Sequence, residues 1–324
     1  MINSRLFDWY GIDTNKNLKQ TKVCARPFDT MLFDRNGEVF ACECTAWLPV
    51  PIGNISLQTV KEIEKNKNTL AVQNSISDGS YRFCNNHQCK YLISNRIPTQ
   101  TETKHIRLAL DESCNLACPS CRTNKIFISD RKILNKKISW CNKIIEWMQE
   151  QTTPVQVHIG SDGDPFASLI YRYFMKQMTN LNLPNISFSL QTNGLLLKQM
   201  YDRTSYIFNN LNALNISIDG ATKVTYEKLR LGGRWEKILE NFEFIKKNKN
   251  YPVNLHMVVQ TQNWNEMKLM LDLADFYNFD KVYFNQIEDW NTAINVKEEK
   301  KLFAELQYQA YTAEIKKHPK AYLF

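Results

Sequence analysis

Residues 105–122 read HIRLALDESCNLACPSCR, and this stretch decides the fold. Its first seven residues form an apolar run of strand length, and three cysteines follow in a C-x3-C-x2-C spacing. From this run onward, apolar runs of similar length alternate with segments of helical period, so both element types are predicted. The predicted strands cover residues 105–111, 155–160, 186–192, 213–219, 254–260 and 281–287.

Strands separated by helices predict a parallel α/β sheet, since each repeat spans roughly the 30 residues that a strand–helix–strand crossover needs. Periodicity alone does not separate a doubly wound sheet from an open barrel. Before residue 105, short strand-like pieces lie among turns, with one helical pattern over 57–66. We therefore expect three parts: a small cysteine-rich domain over 1–100, the main α/β domain over 101–292, and a charged amphipathic helix (296–317) within a C-terminal segment, 293–324.

The composition of the 324-residue chain excludes disordered and collagen-like proteins, because 43% hydrophobic and 23% charged residues are ordinary globular values. No apolar run approaches the ~18 residues of a membrane span, and the first residues lack a secretory hydrophobic region. A cytoplasmic protein without membrane contact is expected. The net charge is +8, but the lysines are spread along the chain and predict solvated helix faces, so a nucleic-acid partner is not expected.

The chain has nine cysteines, an odd number that argues against a disulfide framework and favours metal ligation or redox chemistry. Zinc sites need four ligands, so the triplet Cys114, Cys118 and Cys121 is one short. Iron–sulfur clusters are held by such runs, and three cysteines leave one iron open. The alternative is a loop of buried or spare thiols.

In spacing and location the triplet resembles the signature of radical S-adenosylmethionine (SAM) enzymes, where it follows the first strand of a partial (β/α)6 barrel. The resemblance implies an α/β, TIM-like partial (β/α)6 barrel and a [4Fe–4S] cluster on Cys114, Cys118 and Cys121. In that family the open iron binds SAM, and an injected electron yields methionine and a 5′-deoxyadenosyl radical that abstracts hydrogen from a substrate. Ser120 is a departure, because that family often has an aromatic residue there and adenine must then pack elsewhere.

Residues at the other strand ends resemble the SAM contacts of the same family. GSDGDPF (160–166) is similar to a Gly-Gly-Glu motif, with Gly163 and Asp164 in the last two places and the carboxylate set to meet the ammonium of SAM. Arg230 resembles the arginine that pairs with the methionine carboxylate. The S-x-D-G turn at 217–220 is also common as a purely structural turn. The further predicted contacts are Thr192, Asn193, Ser217, Asp219, Val259 and Gln260.

The stretch CARPFDTMLFDRNGEVFAC (24–42) resembles the opening of SPASM and twitch domains, which bind auxiliary [4Fe–4S] clusters and usually follow the barrel. Here the stretch precedes it, and the cysteine count favours one auxiliary cluster. Cys44 is a spare thiol or a substitute ligand. A four-cysteine zinc site would hold this small region equally well and is the alternative. The expected ligands are Cys24, Cys42, Cys84 and Cys89.

The remaining cysteine and the histidines are predicted to have structural roles. Cys141 lies on a helical pattern and is predicted to be a small buried hydrophobe. His158 and His256 lie inside strands as core or pocket-wall residues, and His87 is an exposed turn residue.

The resemblance implies an enzyme that takes electrons from a flavodoxin or ferredoxin, which would dock on a basic face. It also favours a peptide or protein substrate in a maturase-type modification. Oxidation or epimerisation of a carbohydrate or other small metabolite is the alternative. A non-enzymatic iron–sulfur module or a zinc-stapled RNA-binding protein is a further alternative.

Overall fold

The structure is a computed structural model, and it describes residues 4–160, 162–289, 292 and 294–323. Ser161 of the GSDGDPF motif, Ala293 and Phe324 thus lie outside the described residues. The chain divides into two compact units, each assembled from separate stretches of sequence. Unit 1 is Met1–Asp111, Ser129–Asp162 and Asn180–Phe188; unit 2 is Glu112–Ile128, Gly163–Thr179 and Ser189–Phe324.

The strands confirm all six predicted runs within three residues at each end; three further strands precede them and one follows. Apolar β-branched runs bounded by turn residues therefore identified the main sheet. In chain order the strands are β1 Thr30–Phe33, β2 Glu38–Phe40, β3 Pro51–Asn54, β4 Lys104–Leu108, β5 Val155–Ile159, β6 Ile186–Thr192, β7 Leu211–Ser217, β8 Val253–Val259, β9 Lys281–Gln286 and β10 Ala321–Leu323.

The helices alternate with the main strands, as the 3.6-residue period predicts. Short 3-10 turns cover Asp202–Thr204, Trp264–Glu266 and Leu302–Ala304. The helices are α1 Arg5–Tyr10, α2 Arg26–Asp29, α3 Val60–Lys65, α4 Lys67–Ser77, α5 Lys90–Ile93, α6 Arg131–Gln149, α7 Leu169–Leu181, α8 Leu197–Tyr201, α9 Ser205–Asn209, α10 Lys223–Leu229, α11 Trp235–Asn248, α12 Met267–Phe276, α13 Val296–Lys301 and α14 Leu306–Ile315.

In unit 1 the N-terminal strands continue the sheet instead of standing apart from it. β1 and β2 form an antiparallel hairpin, and β1 pairs in parallel with β4 from Thr30 opposite His105 to Phe33 opposite Leu108. β4 in turn pairs in parallel with β5. The first hundred residues thus share a sheet with the first main strand, which sequence patterning did not predict.

Gly37 fixes the turn of that hairpin. Its φ of +85° is left-handed, and a Cβ there would lie 2.9 Å from Trp140 on α6. A side chain at this position would be strained by both the left-handed backbone and the close contact.

The Asp130 side chain caps the start of α6 by accepting the N–H groups of Lys132 and Ile133, at 2.9 and 3.0 Å.

In unit 2, β7, β8, β9 and β10 pair in parallel in that order. Most apolar residues of β7, β8 and β9 are almost fully buried, whereas Tyr322 on β10 is exposed. Phe242 on α11 packs against Tyr277 and Phe279 with ring centroids 5.2 and 5.1 Å apart. The predicted α/β class with a mostly parallel sheet is confirmed.

The C-terminal segment differs from the single predicted helix over 296–317. Two helices, α13 and α14, are separated at Glu305, whose φ of −70° and ψ of 133° are extended. Phe303 packs edge-on against Tyr308 with ring centroids 5.3 Å apart, and this contact forms across the break. Charge and period predicted the helical content, but they carry no signal for an interruption by one residue.

Within the described residues, no helix combines the length and the apolar character needed to cross a membrane.

Candidate functional site

The triplet cysteines lie on the loop between β4 and α6, and backbone hydrogen bonds shape that loop. The Cys114 N–H donates to the Ile126 carbonyl at 2.8 Å, which folds the loop back on itself. The Cys118 carbonyl accepts the N–H groups of Cys121 and Arg122, both at 2.9 Å. A tight turn therefore joins the second and third cysteines.

Each triplet sulfur has a nitrogen donor supplied by the chain. Cys118 is buried, whereas Cys121 is exposed. Such N–H···S contacts favour the electron-rich state of a sulfur ligand. The pairs are Asn193 Nδ2 with Cys114 Sγ at 3.7 Å, Arg230 Nη1 with Cys118 Sγ at 3.8 Å, and Arg122 Nη2 with Cys121 Sγ at 3.4 Å.

Burial controls the protonation of two of these thiols. It raises the pKa of Cys118 to about 11, although the nearby Arg230 charge acts in the opposite direction. Burial also raises the pKa of Cys114. Soft thiolates select iron–sulfur clusters or zinc, and ligation of either requires that these thiols lose their protons. The donor set of three cysteines on one loop fits a cluster with an open iron.

Asp164 is buried and fully engaged by the protein. One carboxylate oxygen accepts the N–H groups of Phe166 and Ala167, at 3.0 and 3.2 Å. The other accepts the Thr192 hydroxyl at 2.7 Å and the Asn193 N–H at 2.9 Å. Burial raises its pKa, and these hydrogen bonds act in the opposite direction. Asp164 therefore holds the loops after β5 and β6 together, and a direct contact with SAM stays a prediction.

The loop after β5 is also tied to the triplet. The Asp164 N–H donates to the Ser113 carbonyl at 2.9 Å, so Gly163 and Asp164 lie beside the residue before Cys114. Asn193 extends the connection, because its Nδ2 donates to Asn115 Oδ1 at 2.8 Å. The structure brings these predicted residues together around Cys114.

Asp219 and Arg230 form a buried ion pair, with Oδ2 and Nε 2.8 Å apart. Burial lowers the pKa of Arg230, but attraction to Asp219 and Cys118 outweighs it, and the pKa is raised overall. Asp219 also accepts the Val258 N–H at 2.9 Å. The arginine predicted to meet the methionine carboxylate thus has a protein carboxylate as its partner, next to Cys118.

The predicted adenine region contains an unsatisfied amide. Val259 and Gln260 are buried at the end of β8. Among the described residues, neither the oxygen nor the nitrogen of the Gln260 side chain has a hydrogen-bond partner. A buried unsatisfied polar group costs about 1–3 kcal/mol. A ligand with both a donor and an acceptor edge, as adenine has, would satisfy this amide, so the residues present fit SAM.

A polar face on the strands of unit 2 was largely missed from the sequence. Ser217 lies opposite His256, and His256 lies opposite Tyr283 with their rings 4.6 Å apart. Gln191 Nε2 donates to Ser217 Oγ at 2.5 Å. Polar residues at every second position, as in NIS (215–217) and NLH (254–256), are the signal that would have found this face. We call Gln191, Asn215, Ser217, Asn254, His256 and Tyr283 the polar face.

His256 is the one titratable imidazole on this face. Burial lowers its pKa to about 4, with a further contribution from the Arg230 charge. Its Nε2 lies 3.2 Å from Asn215 Oδ1, which also accepts from Asn254. His256 is therefore neutral at physiological pH, which agrees with a pocket-wall role.

In unit 1, four cysteines line one small cavity of about 20 Å³, and all four are buried. Burial raises the pKa of Cys24 to about 11 and raises the pKa of its three companions. Tyr81 accepts the Cys24 N–H at 2.8 Å and closes one wall. Cys44 is half-buried and is not among the residues that line the cavity. The lining cysteines are Cys24, Cys42, Cys84 and Cys89.

These four are the residues predicted to hold an auxiliary cluster. A thiolate-rich donor set suits iron–sulfur chemistry as well as zinc. Within the described residues, no group of three or more His, Cys, Asp or Glu side chains is arranged to hold a metal ion. Ligation therefore stays a proposal both at this cavity and at the triplet loop.

The fold and the loop together define an α/β protein with a cysteine triplet after a strand of a mostly parallel sheet. A family model described as the radical SAM superfamily matches residues 112–274, half of the chain. The chain belongs to the radical SAM superfamily, whose members are enzymes that bind SAM and a [4Fe–4S] cluster.

A curated relative, the GTP 3′,8-cyclase of Listeria welshimeri, is 25% identical over 184 residues, covering 55% of this chain and 50% of the relative. The chain spans about half the length of this curated relative. Among solved structures, Streptococcus suis SuiB bound to precursor peptide SuiA is 10% identical, with a TM-score of 0.49, covering 94% of this chain and 73% of that one. Native anSMEcpe with bound AdoMet is 19% identical, with a TM-score of 0.41, covering 58% and 52%.

Proposed function

We propose that this protein cleaves SAM reductively and uses the resulting radical to modify a substrate. The observation that carries the proposal is the triplet loop in a chain of this superfamily, with a nitrogen donor 3.4 to 3.8 Å from each sulfur. When bound, the cluster and SAM supply an electron and a 5′-deoxyadenosyl radical that abstracts hydrogen.

The residues of the chain bind and orient these groups. Cys114, Cys118 and Cys121 are the proposed cluster ligands. The buried Gln260 amide offers a donor and an acceptor to adenine. Asp164 keeps the loops beside Cys114 in place through its four hydrogen bonds. The burial of Cys118, Asp164 and Gln260 limits the access of water to their polar atoms, which strengthens polar contacts there.

The test is formation of 5′-deoxyadenosine after anaerobic reconstitution with iron and sulfide and addition of dithionite and SAM. The wild type is expected to form it, and Cys118→Ala is expected to form none above background. Cys141→Ala is the matched control, because Cys141 is a buried cysteine on α6 outside both cysteine sites. A wild type that holds iron at the triplet but forms no 5′-deoxyadenosine would contradict the proposal.

We also propose one auxiliary [4Fe–4S] cluster on Cys24, Cys42, Cys84 and Cys89. Their shared cavity wall supports this ligand set, and the position of Cys44 off that wall supports its role as the spare thiol. The triplet-to-Ala variant separates the two sites. It should retain about four irons per chain and no zinc. Stoichiometric zinc in this variant would favour the structural zinc site instead.

For the substrate, we propose a peptide or protein in a maturase-type modification. Two observations support this: the likeness of residues 24–42 to SPASM and twitch openings, and the polar face. The polar face presents amides, hydroxyls and a neutral imidazole, and such groups match the uncharged donors and acceptors of a peptide backbone.

A small-molecule substrate is the second candidate, favoured by the curated relative whose name states a reaction of GTP. To distinguish the peptide proposal from the small-molecule proposal, the increase in 5′-deoxyadenosine formation is measured when each candidate substrate is added. The probes are GTP and a synthetic peptide whose sequence is taken from any short reading frame found beside the gene. Stimulation by GTP but not by the peptide would contradict the peptide proposal.

A further inference from the structure

Arg122 follows the third triplet cysteine directly, and its guanidinium is held at two points. Nη1 donates to the Glu112 carbonyl at 2.6 Å, and Nη2 donates to Cys121 Sγ at 3.4 Å. A planar guanidinium that is bound at both ends of its fork keeps a fixed orientation. Cys121, its sulfur partner, is the exposed cysteine of the triplet.

The other two sulfur donors are a neutral amide and a more distant arginine, since Arg230 Nη1 lies 3.8 Å from Cys118 Sγ and Arg122 Nη2 lies 3.4 Å from Cys121 Sγ. Asn193 is neutral, and the charge of Arg230 is balanced by Asp219 at 2.8 Å. The Arg122 guanidinium interacts electrostatically with all three triplet cysteines. Among the three donors, Arg122 therefore places its positive charge nearest a sulfur.

We infer that Arg122 raises the reduction potential of the triplet cluster, an inference that rests on the proposed function. Three thiolates around a 2+ cluster carry a net charge of about −1, and one added electron makes it about −2. A cation next to Cys121 stabilises the more negative state more strongly. The N–H···S contact acts in the same direction, because it withdraws electron density from the ligand sulfur.

The test is a potentiometric titration of the reconstituted, full-length protein, without SAM, followed by electron paramagnetic resonance. Dithionite supplies the single electron, and no bond is formed or broken. The triplet signal is the one that is lost in the triplet-to-Ala variant. Arg122→Gln should lower the equilibrium constant for reduction about tenfold, which for one electron is a fall of about 59 mV.

Arg122→Lys keeps the positive charge but loses the planar guanidinium with its two donor nitrogens. The midpoint potential of the cluster should therefore fall less than in Arg122→Gln. Lys125→Gln is the matched control, because it removes one positive charge from the same loop at a side chain whose Nζ lies against Gly232. Its midpoint should stay near that of the wild type. Iron-loaded Arg122→Gln with the wild-type midpoint, or with the midpoint of Lys125→Gln, would overturn the inference.

If Arg122→Gln loads no iron, Arg122→Ala takes its place, because it also removes the charge, and an iron-loaded alanine variant with the wild-type midpoint overturns the inference. A wild type without iron at the triplet is a different failure, since it contradicts the proposed function itself.

Discussion

The carboxylate of Asp164 is buried and accepts four hydrogen bonds, so a substitution there must leave donors unsatisfied. In Asp164→Asn, an amide NH2 group replaces one carboxylate oxygen. This donor then faces the N–H or O–H donors that the oxygen had accepted. We expect a loss of about 2–3 kcal/mol in stability. SAM cleavage should fall at least about tenfold as well, because Asn193 next to Cys114 loses its anchor. Thermal unfolding and 5′-deoxyadenosine formation measure the two effects.

Asp202→Asn is the control for this change, because Asp202 is exposed. It should alter neither quantity measurably. If Asp164→Asn melts at the wild-type temperature, Asp164 does not hold the loops in the way described.

His256 gives a prediction about pH. Burial and the Arg230 charge lower its pKa to about 4, below the unfolded value of about 6.5. The neutral form is favoured in the folded state, so its stabilising contribution is complete above pH ~6.5 and is lost as the pH falls toward ~4. The carbon-13 shift of the His256 ring, identified by its absence in His256→Gln, should not titrate between pH 8 and 5. A midpoint near pH 6.5 would contradict the buried, neutral assignment.

For single residues, the sequence predicted which side chains lie near one another better than it predicted their hydrogen-bond and ion-pair partners. Asp164 and Arg230 were expected at the SAM site because of their resemblance to SAM contacts of the family, and both lie within hydrogen-bonding or ion-pairing reach of other site residues. Their present partners are protein groups, and a local motif does not reveal which acceptor or donor from a distant strand reaches it. The sequence likewise does not predict that the buried amide of Gln260 is unsatisfied, because this depends on the packing around it.

At the scale of elements, the turn from β7 to α10 depends on close packing at Gly220. A Cβ there would lie 2.4 Å from the Tyr226 backbone nitrogen, and backbone atoms of a helix cannot move aside cheaply. Gly220→Ala should displace α10, which ends next to Arg230. We expect a lower melting temperature and at least about a tenfold loss of SAM cleavage, because a displacement of about 1 Å costs that much in a site built on orientation.

Gly11→Ala is the companion variant, since Gly11 has a φ of +62° but no atom of the described part of the chain lies within 4 Å of an added Cβ. It should cost about 1–2 kcal/mol from backbone strain alone and leave SAM cleavage intact. Equal effects of the two substitutions on SAM cleavage would show that close packing at Gly220 does not position Arg230.

Strands were predictable because each is a short apolar run with clear boundaries, and β6 matches its predicted range residue for residue. Helix α4 was missed, since its apolar residues are few and its start depends on Asn66, whose side chain accepts two backbone N–H groups. Local sequence preferences therefore predict the strands and helices with strong apolar patterns. A helix such as α4, whose formation depends on its N-cap, is not predicted by them.

At the scale of the whole molecule, the two cysteine sites fall in different compact units: the four-cysteine cavity in unit 1 and the triplet in unit 2. Their separation in sequence was predicted, but the composition of the units was not. Residues 129–162, with α6 and β5, belong to the same unit as the N-terminal cysteines. Such long-range association depends on packing between distant segments and leaves no local signal.

The net charge leads to a prediction about the electron donor. The chain carries +8, and two bound clusters with their thiolates reduce this to about +5, so an acidic flavodoxin should be attracted. The rate at which reduced flavodoxin reduces the triplet cluster should fall several-fold between roughly 50 and 500 mM salt, because the Debye length shortens from about 14 to about 4 Å. Stopped-flow spectroscopy measures this rate. Reduced methyl viologen, a cation, is the control and should not slow with salt. A flavodoxin rate that is constant over this range would contradict electrostatic docking on a basic face and would leave apolar contacts to guide the encounter.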